Sequence, residues 1–141
     1  MEQYILALPS GDPNASGTAS DFTIFGVDLS LDPEGSYECA LIDCSFPNPY
    51  QGTPVSVFIL VDFIEYQFVG SNKLQVLYKT SPISSFSQTL YYEKEQGTIV
   101  QWRQLQKHDI NNVRVQVQTS TGASVPNSGF SIITLAIRRV A

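Results

Sequence analysis

Apolar and polar residues alternate along this chain with a period of two rather than 3.6, the spacing at which successive side chains of an extended strand fall on opposite faces. The segment VRVQVQT, Val113 to Thr119, is the clearest instance. Val113, Val115 and Val117 share one face and Arg114, Gln116 and Gln118 the other, which predicts a strand with one buried and one wet side. Near the C-terminus, FSIITLAIRR sets Phe130, Ile132, Thr134 and Ala136 on one face and Ile133, Leu135 and Ile137 on the other, predicting an inner strand buried on both sides. The same rule predicts strands at about 3–8, 20–30, 36–46, 55–68, 73–79, 97–104, 112–119 and 129–139, with a shorter ninth near QTLYYEK.

The separators PSGDPNASGT, DPEG, PNPYQGTP, GSN and STGASVPNSG are rich in turn-forming residues. Helical spacing has little support, and QLQKHDIN is the one place where a turn or two of helix is expected. Eight strands with irregular loops, no repeat and no low-complexity tract predict one all-β domain spanning residues 1–141, an antiparallel two-sheet sandwich or a closed barrel. The run VSVFILVDFIEYQF, residues 55–68, is longer than the usual five or six residues of a strand. That length favours an eight-stranded antiparallel jelly roll over a small barrel.

Composition changes this picture only modestly. The chain has 141 residues, 43% hydrophobic and 15% charged, against about 25% charged in an average soluble domain. A chain of this size buries roughly two thirds of its unfolded surface and needs no staples. The net charge of −5 is unevenly laid down. Residues 1–72 contain ten acids and no Lys or Arg, whereas residues 73–141 hold all eight basic residues with Glu93, Glu95 and Asp109, so the halves carry −10 and +5. Either strands of the two halves interleave and the charges mix, or an acidic face of one copy meets a basic face of the next. Nucleic acid is a poor partner, because a phosphate-binding surface needs a dense basic stripe. The N-terminal MEQYILALP reads as neither signal peptide nor membrane anchor, so a reducing compartment without secretion is expected.

Candidate chemistry is sparse. Cys39 and Cys44 lie on one predicted strand, an odd number of positions apart, so they are expected on opposite faces roughly 16 Å apart, too far for a disulfide. With a single His and no CxxC, zinc lacks ligands, and buried apolar thiols are the default. His108 beside Asp109 suggests a nucleophile–His–acid arrangement only in outline, since no Gly-x-Ser-x-Gly elbow is present and sequence neighbours seldom face each other. A loop or capping role for His108 is the expectation. The pairs Asp62/Glu65 and Glu93/Glu95 could in principle serve a glycosidase but read better as solvated strand ends. Asp62, within an apolar run, must face solvent, an interface or a partner. Tyr50, Tyr66, Tyr78, Tyr91, Tyr92 and Trp102 could build a carbohydrate-stacking or protein-contact platform, or pack within the sheets. No catalytic, cofactor-binding or metal-binding residue is assigned.

The order of certain residues carries a resemblance. Leu8 to Ser10, then Ser20-Asp21-Phe22, the approach Leu31 to Gly35, the strand Tyr37-Glu38 with Leu41, and the stop Phe46-Pro47 form one series. Trp102, INNVRVQVQTSTG and FSIITLAIRR form a second series further along. Together they resemble the single jelly-roll penton or vertex-type capsid proteins of Polintons, adintoviruses and related adenovirus-like DNA viruses. The resemblance implies a non-enzymatic structural protein of an icosahedral virion, made in the host cytoplasm or nucleus. It implies a homopentamer at the fivefold vertices in contact with major capsid proteins, without cofactor, nucleic acid or membrane insertion. An alternative implied role is a trimeric receptor- or carbohydrate-binding spike head, which the lack of a long insertion or shaft disfavours.

Overall fold

A computed structural model of the chain describes residues 3–48, 56–80, 88–93, 101–119 and 129–141. These residues form no helix, and every strand pair is antiparallel. The strands are β1 (Gln3–Pro9), β2 (Ala15–Thr18), β3 (Asp21–Ile24), β4 (Leu29–Ser30), β5 (Tyr37–Asn48), β6 (Val57–Val61) and β7 (Gln67–Val69). They continue with β8 (Asn72–Leu74), β9 (Val76–Thr80), β10 (Gln88–Glu93), β11 (Arg103–Gln104), β12 (Asp109–Ile110), β13 (Val113–Thr119) and β14 (Ile132–Arg139).

One sheet runs β1-β14-β5-β10, with β11 also on β5, and the second runs β2-β3-β13-β6-β9. Small two-stranded pairs, β4 with β12 and β7 with β8, flank them. The partners are nested along the chain: β1 with β14, β3 with β13, β5 with β10, and β6 with β9. Both sheets feed one apolar cluster, Leu8, Leu41, Ile133, Leu135 and Ile137 from the first and Phe22, Ile24, Ile59, Val113, Val115 and Val117 from the second. The alternation seen in VRVQVQT therefore does what its period predicts, with its three valines buried and Arg114 exposed.

The expected strand 55–68 is not one element. It stops at Val61, turns at Asp62-Phe63, and resumes only as β7. All five residues of β6 are buried, because Val57, Ile59 and Val61 face the shared core while Phe58 and Leu60 join Val76 in a second cluster covered by Val69 and Leu74 of the β7–β8 hairpin. An apolar run buried on both sides gives no alternation by which to see its end. The hairpin closes through Gly70, whose φ of 61° suits the first position of a two-residue loop. Gln75 Nε2 anchors it by donating to the carbonyls of Asp62 (3.1 Å) and Ile64 (2.8 Å), and Gln67 Nε2 donates to Val76 O at 2.9 Å.

Three further expectations are corrected. The 20–30 strand breaks after Ile24, where Gly26 and Asp28 take positive φ before β4 resumes. The region of QLQKHDIN is extended rather than helical. Leu105 N donates to Tyr37 O, Gln106 N to Phe63 O and Leu31 N to His108 O, so neighbouring chain on both sides competes successfully with helical hydrogen bonding. At the C-terminus, β14 begins at Ile132, and Phe130 and Ile132 are 75% and 38% exposed, so burial on both faces holds only for the later stretch Leu135-Ala136-Ile137. The ninth strand near QTLYYEK is present as β10. Residues 97–100 of the strand expected at 97–104 lie outside the described residues, and β11 accounts for its end.

Candidate functional site

The two cysteines were expected on opposite faces, and they are not. Along β5 the partners of β14 run Cys39↔Ile137 and Leu41↔Leu135, then skip to Asp43↔Thr134 and Cys44↔Ile133. Ile42 is an extra residue in the ladder, a β-bulge, and it reverses the parity of everything after it. Cys39, Leu41 and Cys44 consequently all point into the shared core. Both thiols are free and buried. Burial pushes the Cys39 thiol far above its ordinary value, and burial together with the neighbouring Asp43 pushes Cys44 up to about 12. Such thiols are packing groups rather than nucleophiles.

His108 belongs to a polar cluster that ties three parts of the chain together. Its Nε2 lies 2.7 Å from Gly35 O, and since a carbonyl only accepts, that nitrogen carries the proton. The ring meets Tyr37 edge-on, with centroids 5.9 Å apart. Asp32 N donates to the Tyr37 hydroxyl at 3.2 Å, and the Asp32 carboxylate pairs with Arg139 at 3.0 Å. A hydrogen bond from Glu34 N, aided by Arg139 and His108, holds the Asp32 carboxyl below its usual range. The spacing Asp32, Glu34, Gly35 is a local turn in which Gly35 N also donates to Asp32 O. Gly35 is required there by proximity: a Cβ would stand 2.9 Å from both Arg139 Nε and Tyr37 Cε2. The chain end joins this cluster through Ser36 N donating to Ala141 O and Val140 N to Ser36 O. His108 and Asp109 do not combine. His108 serves the cluster, while Asp109 is exposed on β12 opposite Ser30.

The acids and bases of the two halves meet within the chain. Arg114 pairs with Asp21 at 2.9 Å, Arg138 with Glu38 at 3.0 Å and Arg139 with Asp32 at 3.0 Å. Each of these pairs joins an acid of the −10 half to a base of the +5 half. Hydrogen bonding to Asp21 raises Arg114 further above its already high value, with Asp62 contributing charge from nearby. Asp62 itself is half-buried at the turn after β6, and its Oδ1 is enclosed without a hydrogen-bond partner among the described residues. Glu65 Oε1 lies 3.5 Å from Gln104 N. The pair Glu93/Glu95 cannot be judged as a unit, since Glu95 lies outside the described residues.

Of the six aromatic candidates, the side chains of Trp102, Tyr78 and Tyr66 are described. Trp102 lies beneath the Arg138 guanidinium, 3.7 Å from its ring centroid, beside the first sheet. Tyr78 packs against the core, and Tyr66 sits by the β7 hairpin with Lys73 Nζ 4.9 Å above its ring. Tyr91 and Tyr92 lie on β10, and Tyr50 lies outside the described residues. Among the described residues, no group of three or more His, Cys, Asp or Glu stands close enough to hold a metal ion.

What sequence reasoning passed over is an apolar surface. Among the described residues, Ile5, Phe25, Tyr66, Phe68, Phe130, Ile132 and Val140 are the large apolar side chains left in water. Ile5 and Ile132 fall on one side of the β1/β14 pair, where the register sets Ile5 opposite Ala136 and Pro9 opposite Ile132, and Phe130 lies just before β14. Ile5 and Ile132 come together only once the pairing of β1 with β14 is known. A comparison with protein-family models, with curated proteins and with solved structures finds no match to this chain.

Proposed function

We propose that this chain is a non-enzymatic capsid subunit with a jelly-roll fold, standing as a homopentamer at the fivefold vertices of an icosahedral DNA virion beside major capsid proteins. The observation that carries the reading is the nested pairing of eight strands, β1·β14, β3·β13, β5·β10 and β6·β9. A long antiparallel hairpin of four strands against four, wound into two sheets, is the jelly-roll plan common to capsid, lectin and cupin domains. The single His speaks against a cupin-like metal centre, which draws on several imidazoles. Cys39 and Cys44 pack in the core and His108 ties to Gly35 O.

One observation favours a second reading, a binding head. Tyr66 and Phe68, 46% and 77% exposed, flank Lys73 on the outer hairpin, a combination suited to stacking against a ligand. Mass measurement of the purified protein, followed by electron imaging of rings or particles, separates the two. Fivefold rings are the expected result, and stable trimers that bind glycan would overturn the vertex assignment.

A further inference from the structure

Phe58, Leu60 and Val76 form an apolar strip on the outer face of the second sheet, apart from the shared core, and the β7–β8 hairpin covers it. The cover is thin. Val69 and Leu74 are the side chains of the hairpin packed against the strip, and each hairpin strand has three residues. A lone two-stranded hairpin of that kind does not hold itself together in water. Polar ties supply the rest: Gln75 Nε2 donates to Asp62 O and Ile64 O, Gln67 Nε2 to Val76 O, and Val61 N to Gln75 O at 3.3 Å.

Asp62 stands where the chain leaves β6 for this hairpin, and Gln75 at the hairpin's far end reaches back to its carbonyl. The register that sets Val115 opposite Val61 continues to bring Arg114 beside Asp62, on the face that Phe58 and Leu60 share. Arg114, however, is committed to Asp21 through Nε at 3.0 Å and a terminal nitrogen at 2.9 Å. Asp62 Oδ1 is thus sealed from water with no hydrogen bond among the described residues. An acceptor enclosed in this way costs its lost hydration without a bond in return.

We propose that β7–β8 is a flap, hinged at Asp62 and Gln75, that opens while both sheets stay folded, and that the sealed carboxylate oxygen of Asp62 keeps its closure weak. Opening returns water to that oxygen and breaks few apolar contacts, whereas Val113, Val115 and Val117 of β13 remain in the shared core. The closed flap presents Tyr66 and Phe68, and the open one bares Phe58, Leu60 and Val76 as well. The apolar surface on this side of the sandwich is therefore set by the position of the flap.

Native-state hydrogen exchange on the full chain tests this, with Asp62→Ala and Gln75→Ala beside the wild type. In the wild type, amides of residues 67–74 should exchange faster than those of β13 and respond little to low urea, as local opening requires. Asp62→Ala should slow exchange at 67–74 by about fivefold or more, because it removes the unpaired acceptor. Gln75→Ala, which removes two ties, should speed it. The sign for Asp62 is the reverse of what loss of a stabilising group gives. Val76→Cys supplies a second readout: a thiol reagent should modify it under native conditions, more slowly once Asp62→Ala is added, while Cys39 and Cys44 stay unreacted. Faster exchange at 67–74 in Asp62→Ala would overturn the role of Asp62. Exchange at 67–74 that keeps pace with β13 in the wild type, or a Val76→Cys thiol that reacts only on global unfolding, would overturn the flap itself.

Discussion

Cys39 and Cys44 lie five positions apart on one strand and yet face the same core, because Ile42 between them is an unpaired extra residue opposite the step from Leu135 to Thr134. A regular strand would have sent one of the two thiols to the outer face. The bulge thus allows a twelve-residue strand to keep Cys39, Leu41 and Cys44 in register with Ile137, Leu135 and Ile133.

Burial of both thiols predicts inertness. Neither Cys39 nor Cys44 should react with a thiol reagent at pH 8 until the protein unfolds, since burial and Asp43 hold Cys44 at about 12. Replacing either with Ser should cost about 1–3 kcal/mol through an unsatisfied buried hydroxyl, and replacement with Ala should cost less. Thermal melts with and without chelator check this: a chelator-dependent melting temperature would contradict a purely structural role.

Gly35 is expected to resist any side chain. Gly35→Ala sets a Cβ 2.9 Å from Arg139 Nε and from Tyr37 Cε2, and overpacking of this kind costs about 1–3 kcal/mol. Arg139→Ala should relieve part of the loss, because it removes one of the two clashing groups. A double-mutant cycle by urea denaturation measures that coupling, and strict additivity would rule out the clash as the cause.

Asp32 gives a pH dependence with a definite sign. Its folded carboxyl lies below the ordinary value of 3.8, so its contribution is fully present above that value and is lost as pH falls through the folded one. Asp32→Asn should therefore be less stable than wild type at pH 7, with the gap closing towards pH 2. Denaturation midpoints across that range provide the check, and a gap independent of pH would exclude the charge as its origin.

The hairpin over β6 separates two apolar surfaces that look alike in sequence. Leu60→Ala should cost about 2–5 kcal/mol, as expected for a buried Leu, whereas Phe68→Ser, at an exposed position, should stay within about 0.5 kcal/mol. Val69→Asp should expose Phe58 and Leu60 and speed hydrogen exchange and proteolysis at 66–75 while leaving β13 protected. Uniform loss of protection across both sheets would instead mean that the hairpin is part of one cooperative core.

Period two in VRVQVQT determined the all-β class and the buried identity of Val113, Val115 and Val117 by local rules alone, since alternation is a property of the extended backbone. The burial of Cys39 and Cys44 was also legible, because both lie in an apolar run of the sequence. The break after Val61 was hidden by burial on both faces of β6, and the bulge at Ile42 by the absence of any special residue to mark it. Only the tertiary structure decided which strands are neighbours. Nested pairing carries Asp21, Asp32 and Glu38 to Arg114, Arg139 and Arg138 across about a hundred residues of chain. Pairing partners depend on how the whole hairpin winds, and no local pattern of side chains encodes that winding.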